Sequence, residues 1–100
     1  MTGMKRAAAL VCLTLSACNA PSMGFRGLPA SAVQIGGADF TVRADRKKAE
    51  AIRTNAMMGA RFADVAPLAA EAMAQVTGCS VVSGSLDGDA AMITARLYCP

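Results

Sequence analysis

The chain carries seven carboxylates, four cysteines and no histidine, and that inventory limits the chemistry open to it. Without an imidazole the usual general base is missing, and Ser-His or Cys-His nucleophile pairs are excluded. The carboxylates are Asp39, Asp45, Glu50, Asp64, Glu71, Asp87 and Asp89. A hydrolytic pair needs two of them converging in a cleft. Asp87 and Asp89 are the close pair, but they flank Gly88, where aspartate is expected for turn formation. They also lack the alternating oxygen ligands of a calcium loop. Met57-Met58 offers soft sulfur for copper, yet no further soft ligand lies nearby, and core or linker is the better reading. Arg43, Arg46, Lys47, Lys48 and Arg53 form the one cluster of like charge. They are the candidate contacts to an anionic partner, set against the plainer reading of a solvated turn or helix face.

The N-terminus reads as an address. Lys5 and Arg6 precede nine apolar or near-apolar residues, Ala7 to Leu15, and the small residues Ser16 and Ala17 lead into Cys18. A charged start, a short apolar run and a small-residue boundary are the parts of a secretory signal. Nine helical residues cover only about 14 Å of a hydrocarbon core roughly 30 Å thick, so a membrane-spanning helix fails on length.

Leu15-Ser16-Ala17-Cys18 resembles the lipobox of bacterial lipoprotein precursors: a leucine, two small residues and an obligatory cysteine just after the cut. The resemblance covers the first 18 residues only. It implies cleavage between Ala17 and Cys18, a diacylglyceryl group on the Cys18 thiol and an N-acyl chain, typically palmitate, on the new terminus. Two or more chains give stable attachment where one gives only marginal binding. Asn19 in place of aspartate implies the outer rather than the inner membrane by the enteric sorting rule. The alternative is ordinary secretion with a cut after Ala20, but Pro21 would then follow the cut, a position such peptidases handle poorly.

Removing the signal changes the rest of the reading. Lys5 and Arg6 leave with it, so eight basic side chains face seven acidic ones, and bulk charge gives no argument for nucleic acid. On the same resemblance, Cys12 leaves with the signal and Cys18 is spent on lipid. Cys79 and Cys99 then remain in an oxidising compartment, where a disulfide between them is expected. Its loop is worth roughly 3 kcal/mol in the chain-entropy model. A domain this small buries little core and needs such help. A metal site lacks ligands, and a redox pair would more typically show Cys-x-x-Cys.

The elements follow from periodicity and punctuation. Residues 19–31 mix Pro21, Pro29, Gly24 and Gly27 with small residues and read as a mobile tether, although Phe25 and Leu28 have the character to dock. Val33 to Ala44 is the first ordered element, with Phe40, Val42 and Ala44 alternating against Thr41, Arg43 and Asp45, and a bend or bulge at Gly36-Gly37. Residues 46–58 stay open between two readings. Asp45-Arg46-Lys47-Lys48 makes a hairpin tip with Ala49 to Asn55 returning as a strand, while Ala49, Ile52 and Ala56 would share one helical face.

Phe62 to Thr77 is a helix by its apolar stripe Val65, Ala69, Ala72, Met73 and Val76. Asp64 as N-cap would put Pro67 at the third position, and Gly78 is a natural terminator. Cys79 to Cys99 reads as a hairpin about Asp87-Gly88-Asp89. Placing Cys79 opposite Cys99 sets Val81 against Leu97, Ser83 against Ala95 and Ser85 against Ile93, with a loop over residues 88–90. A one-residue slip would flip a face and separate the cysteines.

These readings give an α+β domain over residues 32–100, behind a signal peptide (1–17) and a lipid-anchored tether (18–31). Its expected architecture is a four-stranded antiparallel sheet in ββαββ order with one helix on one face. The alternative is three strands with two helices. The expected function is a non-enzymatic lipoprotein of the bacterial envelope, held on the membrane by Cys18 and facing the periplasm in a binding or structural role. The alternative is an inhibitor or accessory subunit of a periplasmic enzyme or transport complex. No cofactor beyond the lipid, no metal, no small-molecule substrate and no nucleic acid is expected. The partners are the membrane and an envelope protein.

Overall fold

The computed structural model describes residues 21–100, so the expected signal peptide over residues 1–17, with Cys12, and the expected lipid site Cys18 lie outside the described residues. Seven elements follow: β1 (Ala30–Ile35), β2 (Ala38–Ala44), β3 (Lys48–Arg53), α1 (Phe62–Thr77), β4 (Ser80–Val81), β5 (Asp87–Gly88) and β6 (Met92–Tyr98). The strands form one antiparallel sheet in the order β1-β2-β3-β6, with β4 and β5 sharing the far edge of β6. The class is α+β, with one helix among the described residues, as expected. The described residues form six strands, not four, and two physical causes account for the difference.

The first is Gly36-Gly37. These residues take φ of +55° and +83°, and Ile35 pairs with Ala38 across them. Positive φ at both central residues gives a two-residue turn whose twist matches the flanking strands. The expected bend within a single strand is therefore a full reversal into two strands. Ala30 and Ser31 already belong to β1.

The second cause is a break in the last hairpin. Next to the Cys79–Cys99 disulfide, whose Cα atoms are 4.6 Å apart, Ser80 pairs with Tyr98 and Val81 with Leu97. That is the expected register. Further on, Asp87 pairs with Thr94 and Gly88 with Ile93, three residues out of step. Ser83 therefore does not oppose Ala95, nor Ser85 Ile93. The slack is taken up between Val82 and Leu86, where Ser85 Oγ accepts the Arg96 N–H at 3.0 Å and donates to the Val82 carbonyl at 2.7 Å. A side chain thus satisfies a ladder group that the strand has lost. The reversal also moves from residues 88–90 to the turn after Gly88. Asp89 N–H donates to the Met92 carbonyl at 3.0 Å, and its carboxylate accepts the N–H groups of Ala91 and Met92, each at 2.8 Å.

Between these sits the hairpin that the basic tip suggested. Ala44 pairs with Ala49, and β3 continues alongside β2 to Arg53, so residues 48–53 are strand rather than helix. Asp45 holds the tip, accepting N–H groups from Lys47 at 2.7 Å and Lys48 at 2.9 Å. Helix propensity in Ala49-Glu50-Ala51 yields to the two strands available on either side.

Helix α1 has the bounds its stripe implies, but it starts differently. Its N-cap is Arg61, not Asp64. Asp64 sits in the first turn, and its carboxylate accepts the Arg61 N–H at 3.1 Å. This half of a capping box suits a helix N-terminus, where negative charge is favoured. Pro67 therefore lies beyond the third position. Its missing N–H falls where both Pro67 and Ala63 face solvent. Gly78 closes the helix at φ +72°, donating to the Ala74 carbonyl at 2.8 Å.

The core lies between α1 and one sheet face. Ala66, Ala69 and Ala72 meet Ala38, Ala49, Ala51 and Ala95, while Phe40, Met73, Val42, Val65 and Ile93 fill the space between. The alanines allow close approach and the larger side chains supply most of the buried apolar area.

Candidate functional site

Strand alternation sends every second side chain away from the helix. On that outer face lie Thr41 and Arg43 of β2, Lys48, Glu50 and Ile52 of β3, and Thr94, Arg96 and Tyr98 of β6. A sheet with one helix ordinarily leaves such a face to water. Here residues 21–28 cover its centre as a strap.

The strap is two successive turns, with Phe25 N–H donating to the Ser22 carbonyl at 3.1 Å and Leu28 N–H to the Phe25 carbonyl at 3.3 Å. Gly24 and Gly27 take the positive φ these turns require. Phe25 is buried, with 6% of its surface exposed, and Lys48 Nζ stands 4.9 Å from its ring centroid. That is cation–π distance.

Beneath the strap is Glu50, which has 0% exposure and is the one buried charged side chain among the described residues. Its Oε2 accepts the Ser22 N–H at 3.1 Å and the Ser22 hydroxyl as well. Its Oε1 has no hydrogen-bond partner. Directly across the ladder, Arg43 also holds a buried and unpartnered Nη1. The two side chains share a face without forming a hydrogen bond. An unsatisfied buried polar atom costs about 1–3 kcal/mol, so the Ser22 bonds matter to keeping this carboxylate under cover.

The five cations of the sequence cluster do not converge. Arg43 and Lys48 belong to the outer face. Arg46 donates from Nη2 to the Pro100 carbonyl at 2.9 Å, tying the hairpin tip to the C-terminus. Lys47 is exposed at the tip, and its carbonyl accepts the Leu97 N–H at 2.8 Å. Arg53 lies at the other end of β3, donating to the Ala90 carbonyl at 2.9 Å and the Asn55 carbonyl at 2.6 Å. It braces the loop before β6. The disulfide cysteines sit where the hairpin register puts them, and Cys18 lies outside the described residues.

Two open grooves flank these features. One, of about 460 Å³, runs between the strap and β6, and brings together Ser22, Met23, Phe25, Lys48, Ser85, Asp87, Thr94 and Arg96. The other, of about 410 Å³, lies beside Cys79 between Ser31, Asp45, Arg46 and Val76. Neither joins two carboxylates. Among the described residues no three potential metal ligands gather, and no helix is long and apolar enough to cross a membrane. The carboxyls whose acidity is altered are turn residues. Asp45 is held below its ordinary value by the N–H groups of Lys47 and Lys48, and Asp89 by those of Met92 and Ala91.

Sequence reasoning missed Glu50, Ser22 and Phe25 as one assembly. The alternation of Lys48, Glu50 and Ile52 marks a shared face, but only the covering strap makes that face interior. No family model matches this chain, and no match is found among characterised proteins or solved structures.

Proposed function

We propose that the protein is a lipid-anchored lipoprotein of the bacterial cell envelope, attached through diacylglyceryl and N-acyl chains on Cys18. Its small domain faces the periplasm, with the outer membrane favoured by Asn19. The role is binding or structural rather than catalytic, with no cofactor beyond the lipid. The observation that carries this reading is Leu15-Ser16-Ala17-Cys18 closing a nine-residue apolar run behind Lys5 and Arg6. The Cys79–Cys99 disulfide supports it, because such bonds persist in oxidising compartments. In the test, cells are fed a clickable fatty acid and treated with globomycin. The native chain takes up label and its precursor accumulates under the drug, while Cys18→Ala takes up none. Labelling of Cys18→Ala would refute the assignment.

A second reading, an accessory subunit or inhibitor of an envelope complex, is favoured by β1. This strand ends the sheet among the described residues, and its sequence Ala-Ser-Ala-Val-Gln-Ile carries no charge and no proline. Edge strands usually carry such residues to prevent pairing, so β1 is suited to accept a partner's strand. Crosslinking in the native envelope followed by mass spectrometry would name that partner.

A further inference from the structure

The docked strap changes what a lipid on Cys18 would do. A free tether from Cys18 to Ala30 would reach about 40 Å, enough to present any side of the domain to the bilayer. The chain instead joins the domain at Ser22, which is bonded to Glu50 on β3. Strand β3 is the middle of the five strand positions, with two strands to either side. Four residues from Cys18 to Ser22 span at most about 14 Å. Passing round the sheet edge costs roughly 10 Å for two strand spacings. Reaching the exposed side of α1 adds a helix diameter of roughly 10 Å more. The helix side is therefore out of reach of an anchored Cys18, and the outer sheet face is not.

The side chains on that face suit a bilayer surface. Met23 is 83% exposed on the strap, one residue past the Ser22 attachment, and Tyr98 is 70% exposed on β6. Between them, Lys48 and Arg96 are cross-strand partners lining the groove with Met23, and Arg26 is exposed on the strap. Asp87 is the acid in the same groove. Tyrosine is enriched at membrane–water interfaces, and basic side chains near an anionic leaflet are attracted to its phosphates. The geometry points to the outer sheet face, around the strap, as a surface that lies against the bilayer holding the Cys18 lipid. Met23 and Tyr98 enter the headgroup layer, and Arg96 and Arg26 contact lipid phosphates. This rests on the lipid-anchor reading, and it adds an orientation: α1 and the β1 edge stay free for the periplasm.

The test reconstitutes the full lipidated chain into vesicles of phosphatidylethanolamine and phosphatidylglycerol that contain a lipid with a photoreactive headgroup. Adducts are mapped by mass spectrometry. They are expected at Met23, Arg26, Arg96 and Tyr98, and not at Glu71 on α1 or at Met58 in the loop before it. A Ser22→Ala, Phe25→Ala variant undocks the strap, so adducts at Arg96 and Tyr98 should fall several-fold while the lipid and the disulfide remain. Adducts spread evenly over α1 and the sheet, or confined to the strap, on a chain whose mass shows the lipid would overturn the orientation and leave the anchor standing. So would loss of Arg96 and Tyr98 adducts to a co-purifying protein that covers this face. A chain whose mass lacks the lipid would overturn both.

Discussion

Glu50 is the residue on which the outer face turns. A buried carboxylate with one unpartnered oxygen is tolerable only because Ser22 supplies two donors to the other oxygen. Ser22→Ala removes the hydroxyl donor and should destabilise the domain by about 1–3 kcal/mol, read as a lowered urea midpoint. An unchanged midpoint would show that the hydroxyl bond contributes nothing. Asp45 illustrates a different kind of carboxylate, exposed and held in its charged form by the N–H groups of Lys47 and Lys48. Its folded value lies below the ordinary 3.8, so its contribution is fully present above that pH and is lost as pH falls through the lowered value. Asp89 acts in the same sense through the Met92 and Ala91 N–H groups. The stability difference between the native chain and Asp45→Asn should therefore be constant at neutral pH and shrink below about pH 4. A difference that grows on acidification would reverse the sign assigned here.

At the scale of elements, the C-terminal hairpin is two short pairings joined by a slip. Gly88 permits the second. It takes φ of +122°, and a Cβ there would lie 2.1 Å from the Met92 carbonyl oxygen. Both the dihedral and the contact forbid a side chain. Gly88→Ala should therefore cost about 1–3 kcal/mol or more and lower the melting temperature by several degrees. Differential scanning calorimetry would show it, and a variant as stable as the native chain would mean that β5 does not pair as described. Helix α1 has less at stake in its ends. Its N-terminus is exposed, and the Arg61–Asp64 ion pair at 3.5 Å is a surface contact of small value. What holds the helix is its alanine and methionine face on the sheet.

At the scale of the whole molecule, Cys99 and Pro100 are both tied back into the fold. The disulfide joins the end of α1, through Cys79, to the residue after β6, and Arg46 ties the β2–β3 tip to Pro100. Reduction should cost roughly 3 kcal/mol by the chain-entropy argument, a large share of the stability of so small a domain. Denaturant titrations with and without reductant measure this. Equal midpoints would mean that packing of β6 between β3 and β4 suffices alone.

Much of this architecture is local and was readable in the chain. The α1 stripe and the Asp45 tip depend on periodicity or turn chemistry within a few residues, and each keeps its place in the fold, whereas the register read from Cys79 opposite Cys99 holds only beside the disulfide, at Ser80–Tyr98 and Val81–Leu97. The Gly36-Gly37 reversal was visible as a breaker, but the choice between bend and hairpin depends on whether a strand at residues 30–35 finds an edge to pair with. The slip between Val81 and Asp87 depends on Ser85 completing a distant ladder, which no local pattern encodes. Burial of Glu50 is the clearest case. Its neighbours Lys48 and Ile52 alternate as on any half-exposed strand, and only a segment 28 residues earlier in the chain, folding back to place Ser22 and Phe25 over it, turns a surface carboxylate into a buried one. Periodicity assigns a residue to a face of its own element. What covers that face is decided by long-range contacts, so it is the tertiary structure that made the outer sheet face a candidate site.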